Sequence, residues 1–387
     1  MISPRPLRQG VCNFKEIMLQ QCFLKKEAVM KEYTIAVIPG DGIGQEVTPE
    51  GVRVLDAVGE VTGKFKMRYD YFPWGCDYYV QHGAMMPENG LDILRPFDAI
   101  YFGAVGLPKL VPDHVSLHGL LIKIRLGFDQ YVCARPSLLL PGIKSPLADK
   151  KCGDIDLVIV RENTEGEYSG AGGRSHPGMP FEVALETSVF SRIGVERIVR
   201  YAFELARTRR KHLICVTKSN AQQHTLTLWD ECFERLAEEF PDVQTERMLV
   251  DAMAARLVLK PESVDVAVAS NMFGDILTDI GGAISGSLGL SPSVNINPER
   301  KFPSMFEPVH GSAPDIIGMG IANPIAMIWT GALMLDFLGH KEEGNLIVEA
   351  IKSVTGEGKV LIPDLGGTAK TTEVTDEIIS KIRSAAR

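Results

Sequence analysis

Residues 34–60, TIAVIPGDGIGQEVTPEGVRVLDAVGE, join a run of β-branched and small apolar residues to a glycine-rich turn and an amphipathic helical pattern. The first part is typical of a buried strand, and the last part has the apolar spacing of a helix. The alternation recurs, with strands predicted at 98–102, 156–160, 212–216 and 264–269 and helices at 45–60, 115–128, 195–209, 225–240, 273–288, 321–338 and 373–385. Repeated strand-helix units predict an α/β fold with a largely parallel sheet covered by helices.

The composition excludes several classes of protein. Hydrophobic residues make up 45% and charged residues 23% of the 387 residues, which is typical of a folded globular chain. A net charge of −8 disfavours nucleic acid and anionic membranes as partners. Seven scattered cysteines without a C-x-x-C pair predict a reducing, cytoplasmic location and no structural zinc. Residues 1–29 are predicted to be a disordered tail, with Met30 a plausible natural start.

One segment interrupts the strand-helix alternation. Residues 166–180 are rich in Gly and Pro, and residues 181–190 then alternate apolar and polar side chains. This pattern predicts a β-arm that projects from the body of the protein. The arm could be an exposed flap or a strand exchanged with a second subunit, and the pattern alone leaves both interpretations open.

The glycines of PGDGIG (39–44) follow the first predicted strand and precede a helix, where a phosphate-binding turn would lie. Their G-x-G-x-G spacing differs from the G-x-G-x-x-G of Rossmann domains, and no acidic strand end follows about 20 residues later. The sequence therefore favours a plain strand-to-helix turn over a direct pyrophosphate cradle.

Two carboxylates four residues apart, Asp275 and Asp279, lie on one face of a predicted helix. No cation shares their spacing, so a divalent ion between them would relieve their repulsion. Asp251, which follows the strand residues Leu249 and Val250, offers a third donor. Oxygen ligands without Cys or His favour Mg²⁺ or Mn²⁺. The alternative is a solvated acidic face in which Asp275 interacts with the helix dipole.

Three arginines could bind a small polycarboxylate. Arg125 lies in a predicted helix, Arg135 in the loop beyond it, and Arg161 directly after a buried strand. Arg161 should therefore emerge at the carboxyl edge of the sheet, where α/β proteins bind ligands, and converging guanidinium groups would grip carboxylates bidentately. Taken singly, each arginine is more often a surface ion-pair partner.

Tyr168 and Lys218 also follow predicted strands, in RENTEGEYSG (161–170) and TKSNA (217–221). Each could move a proton in catalysis if a nearby cation lowered its pKa. A single Tyr or Lys is more often structural, so their interest depends on the neighbouring motifs.

Six motifs occur in one order along the chain: IPGDGIGQEV (38–47), the pair Arg125 and Arg135-Pro136, RENTEGEYSG, TKSNA, SNMFGDILTD (270–279) and MFEPVHGSAPDIIGMGIANP (305–324). On these motifs the chain resembles, from Tyr33 to its C-terminus, the isocitrate and 3-isopropylmalate dehydrogenase family. PDHVSLHGLLIKIR (112–125) and TKSNAQQHTLTLWDE (217–231) are most similar to its branch of tartrate and decarboxylating D-malate dehydrogenases.

The resemblance implies a two-domain fold of the family's own, distinct from a Rossmann domain. Residues 30–130 and 286–387 would form one domain, on the cofactor side, and residues 131–285 a second one with the metal carboxylates. An arm at about 162–190 would clasp a partner and give a homodimer with shared active sites. Lys218 and Asp251 would then enter the site of the neighbouring subunit.

The resemblance also implies the cofactors. Mn²⁺ or Mg²⁺ would bind to the three aspartates, and NAD would bind to one loop. A monovalent cation such as K⁺ could be a further cofactor. The NAD-binding residues would be His310, Gly311, Ser312, Ala313, Asp315 and Asn323. Asp315 and Ile316 stand where NADP-dependent isocitrate enzymes supply Lys and Tyr, so NAD is expected to be preferred. The alternative is that Asp315 only caps the next turn.

The implied activity is oxidation, with or without β-decarboxylation, of four-carbon 2-hydroxy dicarboxylates: tartrate to oxaloglycolate, or D-malate to pyruvate and CO₂. The three arginines would hold the carboxylate that is lost, a base relayed through Lys218 would remove the C2 hydroxyl proton, and Tyr168 would protonate C3. Relative to the family, Gly119 and Leu121 replace the Ser and Asn of isocitrate enzymes, and His118 replaces the Glu of isopropylmalate enzymes, close to the 3-hydroxyl of tartrate. Isocitrate should therefore be excluded.

Two alternative functions remain open. A 3-isopropylmalate dehydrogenase is the alternative within the family, since Leu121 and Ile122 could line an apolar pocket. An alternative of another class is a catalytically silent regulatory subunit of the same fold.

Overall fold

A computed structural model describes residues 30–385, so the predicted tail at 1–29 lies outside the described residues. The strands are β1 (Lys31–Gly40), β2 (Phe65–Tyr71), β3 (Ala99–Ala104), β4 (Val132–Leu138), β5 (Asp156–Glu162), β6 (Gly166–Ser175), β7 (Val183–Val189), β8 (His212–Thr217), β9 (Gln244–Leu249), β10 (Val266–Ala269), β11 (Pro292–Ile296) and β12 (Ser304–Pro308).

The helices are α1 (Gly44–Thr62), α2 (Cys76–His82), α3 (Gly90–Leu94), α4 (113–127), α5 (Arg192–Arg207), α6 (Thr225–Ala237), α7 (Val250–Leu259), α8 (Asn271–Ile284), α9 (Ile325–Phe337), α10 (Lys341–Glu357) and α11 (Thr371–Ala385). Helix α4 consists of Asp113–Ser116, a π-helical turn at Leu117–Leu121, and Ile122–Gly127. No helix within residues 30–385 is long and apolar enough to cross a membrane.

Ten strands form one sheet in the order β2-β1-β3-β12-β11-β4-β5-β10-β8-β9. Its outer pairings are parallel, as predicted, whereas β12-β11, β11-β4 and β4-β5 in the middle are antiparallel. The α/β class is confirmed. The division into domains 30–130 plus 286–387 and 131–285 stays a prediction, and the sheet itself runs continuously across it.

Several predicted bounds are corrected by the structure. The helix predicted at 321–338 begins only at Ile325, because Asn323 and Pro324 precede it and Asn323 Oδ1 accepts a hydrogen bond from the Ile325 amide at 3.0 Å. Arg135 lies within β4 and not in a loop. Strands β2, β4, β11 and β12 and helices α2, α3, α7 and α10 were not among the predicted elements. The strand expected to include Leu249 and Val250 is β9, but it ends at Leu249, and α7 begins at Val250. The β11 segment alternates polar and apolar residues in SPSVNIN (291–297), which is the one strand signal available there.

The predicted arm consists of β6 and β7, which pair in an antiparallel sheet of their own. Large apolar side chains on it are exposed in the single chain, among them Phe181 at 60% and Leu185 at 67%. Both interpretations of the arm, an exposed flap and a strand exchanged with another subunit, stay predictions.

Candidate active site

Helix α8 lies very close to β5, and this contact positions the centre of the site. A Cβ atom at Gly274 would lie 2.6 Å from the Cβ of Arg161, so only glycine allows the approach. The helix start is fixed by Glu167, whose carboxylate accepts hydrogen bonds from Ser270 Oγ at 2.8 Å and from the Met272 amide at 3.0 Å. Asp275, one turn into the helix, is thereby turned towards the sheet.

Asp275 is the point at which the predicted site residues meet. Its Oδ1 accepts hydrogen bonds from Arg135 Nη1 at 3.1 Å and from Arg161 Nη1. Its Oδ2 accepts one from the phenol of Tyr168 at 3.1 Å. Three side chains from two separate segments of the chain, Arg135 and the pair Arg161 and Tyr168, thus converge on the carboxylate of Asp275.

The electrostatics of this cluster keep Asp275 ionised. Burial raises the pKa of its carboxyl, but the positive charges of Arg161, Arg135 and Arg125 outweigh that effect and leave the pKa below its usual value. Asp275 is therefore compensated by buried guanidinium groups and is not part of a merely solvated acidic face. The repulsion from Asp279 that motivated a metal ion is partly offset by these same cations.

All three arginines are buried, at 5%, 7% and 1% exposure for Arg125, Arg135 and Arg161, so none is a surface ion-pair partner. Arg125 pairs with the buried Glu307, which also accepts a hydrogen bond from Asn295 Nδ2 at 2.7 Å. The Arg125 Nε is buried without a hydrogen-bond partner within residues 30–385. A buried donor in this state fits an acceptor from outside the chain, such as a substrate carboxylate.

Sequence reasoning missed the residues that orient the arginines. Ser293 and Thr278 bind Arg135 at 3.3 and 2.8 Å, and Asn271 Oδ1 accepts two hydrogen bonds from Arg161 at 2.9 and 2.6 Å. Glu307 was also missed, although it lies in the quoted motif 305–324. Polar residues at alternate positions of a buried strand, as in 291–297, are the signal that could have indicated a polar sheet face.

Tyr168 has a raised pKa in the single chain. Burial and the charge of Asp275 raise this pKa, and Arg161 opposes them only in part, so the nearby arginine is not a cation that lowers it overall. The phenol is therefore held protonated, which suits a proton donor better than a base.

Asp251 and Lys218 lie apart from the Asp275 cluster. Lys218 Nζ donates a 2.5 Å hydrogen bond to Asp251 Oδ1, and this bond lowers the pKa of Asp251. Across residues 30–385 no three His, Cys, Asp or Glu side chains are grouped as a metal site. Asp279 is exposed, and desolvation by the surrounding protein raises its pKa. Within residues 30–385, Asp275 and Asp279 therefore lie on successive turns of α8 as two hard oxygen donors, without Asp251 beside them.

The loop predicted to bind NAD follows β12. The Nε2 of His310 is buried without a partner among residues 30–385, and burial lowers the pKa of this imidazole, so it is neutral. Ala313 adopts a left-handed φ of 42°, which is strained for a residue with a Cβ. Asp315 is exposed, and in the described chain its side chain makes no hydrogen bond that would cap a turn. Asn323 donates to Asp364 at 3.1 and 3.3 Å. Within residues 30–385 this loop thus has three features that fit ligand binding. They are the free carboxylate of Asp315, the buried unpaired Nε2 of His310 and the strained turn at Ala313.

The helix that carries Arg125 corrects one expectation about specificity. A Cβ atom at Gly119 would lie 2.7 Å from Cγ of the buried Met85, so position 119 points into the protein interior. The π-helical turn at 117–121 changes the angular offset between this position and Arg125 from that of a regular α-helix. A Ser at 119 would therefore face Met85 and not a substrate.

Comparisons with known proteins place the chain in one enzyme family. The sequence model of the isocitrate/isopropylmalate dehydrogenase family matches residues 34–378. The chain is 56% identical over 354 residues to a probable tartrate dehydrogenase/decarboxylase of Agrobacterium vitis, covering 91% of this chain and 98% of that protein. It is 54% identical over 357 residues to the decarboxylating D-malate dehydrogenase of Escherichia coli K12, covering 90% and 98%. The crystal structure of isocitrate dehydrogenase from Methylococcus capsulatus superposes with a TM-score of 0.82 at 33% identity, covering 91% and 99%.

Proposed function

Because the chain belongs to the isocitrate/isopropylmalate dehydrogenase family, we propose that it oxidises four-carbon 2-hydroxy dicarboxylates with NAD and Mn²⁺ or Mg²⁺. The products would be oxaloglycolate from tartrate, and pyruvate with CO₂ from D-malate. The observation that carries the proposal is the convergence of Arg135, Arg161 and Tyr168 on Asp275. The names of the relatives at more than half identity favour this substrate class over isocitrate.

The buried arginines support recognition of the substrate carboxylate that is lost. Their guanidinium groups are held by Ser293, Asn271 and Glu307, so little side-chain freedom remains to be lost on binding. Arg125 has a buried donor to spare. A substrate carboxylate could accept some of the hydrogen bonds that Arg135 and Arg161 now donate to Asp275. The positive charge of the arginines would then still be balanced by a carboxylate.

The metal would be held by Asp275 and Asp279 of one chain and by Asp251 of the partner subunit. The first two are hard oxygen donors on successive turns of α8, and Asp275 is already ionised. When bound, the divalent ion supplies electron withdrawal from the substrate and NAD accepts the hydride.

Two proton transfers fall to side chains of the protein. Tyr168, held protonated beside Asp275, would deliver the proton to C3 from its Oη. Lys218 of the partner subunit would relay the proton removed from the C2 hydroxyl. In the single chain Lys218 forms an ion pair with Asp251, and both side chains are partly exposed. This exposure is consistent with a site that is completed across a subunit interface.

NAD would bind on the loop 310–315 and near Asn323, with Asp315 accepting a hydrogen bond from the adenosine ribose. A homodimer with shared sites would bury the exposed apolar residues of the arm. A K⁺ ion remains part of the proposed cofactor set.

A substrate panel tests the proposal. D-malate, L-tartrate, meso-tartrate, isocitrate and 3-isopropylmalate are assayed for NADH formation with Mn²⁺, with Mn²⁺ removed by chelation, and with and without K⁺. A four-carbon substrate should have the highest kcat/KM. Preference for 3-isopropylmalate would establish the alternative within the family, and no turnover of any substrate would favour the silent subunit.

A further inference from the structure

The glycine-rich turn at 39–44 is not used by the proposed chemistry, yet it contacts the proposed cofactor loop directly. The Ile43 amide donates a 2.9 Å hydrogen bond to the carbonyl of Ser312. A Cβ atom at Gly42, whose φ is +58°, would lie 2.1 Å from that carbonyl oxygen. Ser312 is buried and its hydroxyl donates to the carbonyl of Gly106. The turn thus fixes the first end of the loop.

The other end of the same loop is held one helical turn later. The carboxylate of Glu46, in the first turn of α1, accepts hydrogen bonds from the Gly318 amide at 2.7 Å and from the Gly320 amide at 3.2 Å. Each bond uses a different oxygen. Gly318 and Gly320 have φ values of +76° and +64°, so the chain there depends on glycine. Two residues of the loop lie between these anchors: Ala313, which has the strained φ of 42°, and Asp315.

We propose that Glu46 is a positioning residue for NAD binding, and that the turn with the first residues of α1 serves as a clamp on the loop 312–320. The inference rests on the proposed binding of NAD to this loop. Glu46 does not touch the ligand in this scheme. It holds the two backbone amides that fix the path of the chain after Asp315, so that the loop is in its binding conformation before NAD arrives.

The test uses Glu46→Gln, because an amide keeps the size of the side chain but offers one oxygen and sets an N–H against one of the two amides. We expect KM for NAD and the dissociation constant of NADH to rise about tenfold, with kcat and KM for the dicarboxylate changed by less than about twofold. Hydrogen exchange of the peptide spanning 313–320 should accelerate in the protein without NAD. Glu46→Asp keeps both carboxylate oxygens. Its KM for NAD and its dissociation constant for NADH should therefore lie between those of the wild type and those of Glu46→Gln.

Glu60→Gln is the matched control, since Glu60 lies near the other end of α1, is 69% exposed and only approaches Arg383 at 3.6 Å. It should match the wild type in every measurement. If the wild type binds NADH and Glu46→Gln binds it equally well, the inference is overturned and the proposed function stands. If the wild type binds no NADH, both are overturned.

Discussion

The phenol of Tyr168 donates a 3.1 Å hydrogen bond to Oδ2 of Asp275, which joins the proposed proton donor to a proposed metal ligand before any ligand binds. The charge of Asp275 contributes to the raised pKa of the phenol. A cation on Asp275 would offset that charge and make the phenol a stronger acid. The bond therefore couples the two functions that decarboxylation requires.

Tyr168→Phe should separate the two reactions. Oxidation of tartrate to oxaloglycolate needs no proton at C3, whereas loss of CO₂ from D-malate does. We expect the variant to lose about 10²- to 10⁴-fold in D-malate turnover and clearly less in tartrate oxidation. Steady-state rates with both substrates measure the difference. Tyr201→Phe, which changes a half-buried tyrosine on α5, is the control; equal losses with both substrates would argue against a proton transfer by Tyr168.

Asp275→Asn should destabilise the metal-free protein at neutral pH, because Arg161 and Arg135 lose their anionic partner. The folded-state pKa of Asp275 is lowered, so its stabilising effect is present above the unfolded-state pKa near 3.8 and is lost as the pH falls further. Because the Asp275 side chain is partly exposed, solvent screening reduces the effect, and we expect a loss of about 1–2 kcal/mol at pH 7 that shrinks below about pH 4. Denaturant unfolding in chelator from pH 7 to pH 3 measures it. A loss that persists unchanged at pH 3 would contradict the charge argument.

The sequence was sufficient for the strand-helix alternation and for the residues of the central cluster, since each of these follows a recognisable strand or lies in a distinctive motif. It was insufficient for β11 (PSVNI) and β12 (SMFEP), because each strand has only five residues and includes a proline, which gives a weak strand signal. The partners of the arginines depend on register between strands distant in the chain, such as Ser293 beside Arg135, and no local pattern specifies that register.

Gly119→Ser should fail to create activity on isocitrate. The new side chain would be directed at Met85, where it can only displace a flexible side chain or strain the helix. We expect kcat/KM for isocitrate to stay within about threefold of the wild type, with a modest loss of stability of about 1 kcal/mol. The measurements are isocitrate kinetics and thermal unfolding. A gain of tenfold or more on isocitrate, on the order of 1.4 kcal/mol, would show that position 119 faces the substrate.

Lys218→Ala and Tyr168→Phe should complement each other if the sites are shared between subunits. In D-malate decarboxylation each variant should be nearly inactive alone, but a hybrid dimer contains one site with both residues intact. Under conditions of random subunit exchange, activity should recover to about one quarter of the wild-type value. Exchange is verified with differently tagged chains. Verified hybrids without recovered activity would place both residues in the same subunit's site.

Asp315→Asn should weaken the preference for NAD over NADP. The exposed carboxylate of Asp315 makes no hydrogen bond within residues 30–385, so it is available to accept one from the 2′-hydroxyl of the adenosine ribose. A 2′-phosphate with a charge of about −1.5 to −2 would be repelled by about 1–3 kcal/mol at a partly exposed site, which corresponds to a preference of roughly ten- to hundredfold. The neutral amide removes that repulsion, so kcat/KM for NADP should rise while that for NAD falls. Steady-state kinetics with both coenzymes decide the matter, with Asp364→Asn as a nearby carboxylate that binds Asn323 and should affect both coenzymes alike. Equal use of the two coenzymes by the wild type, or an unaltered preference in Asp315→Asn, would remove Asp315 from the cofactor site.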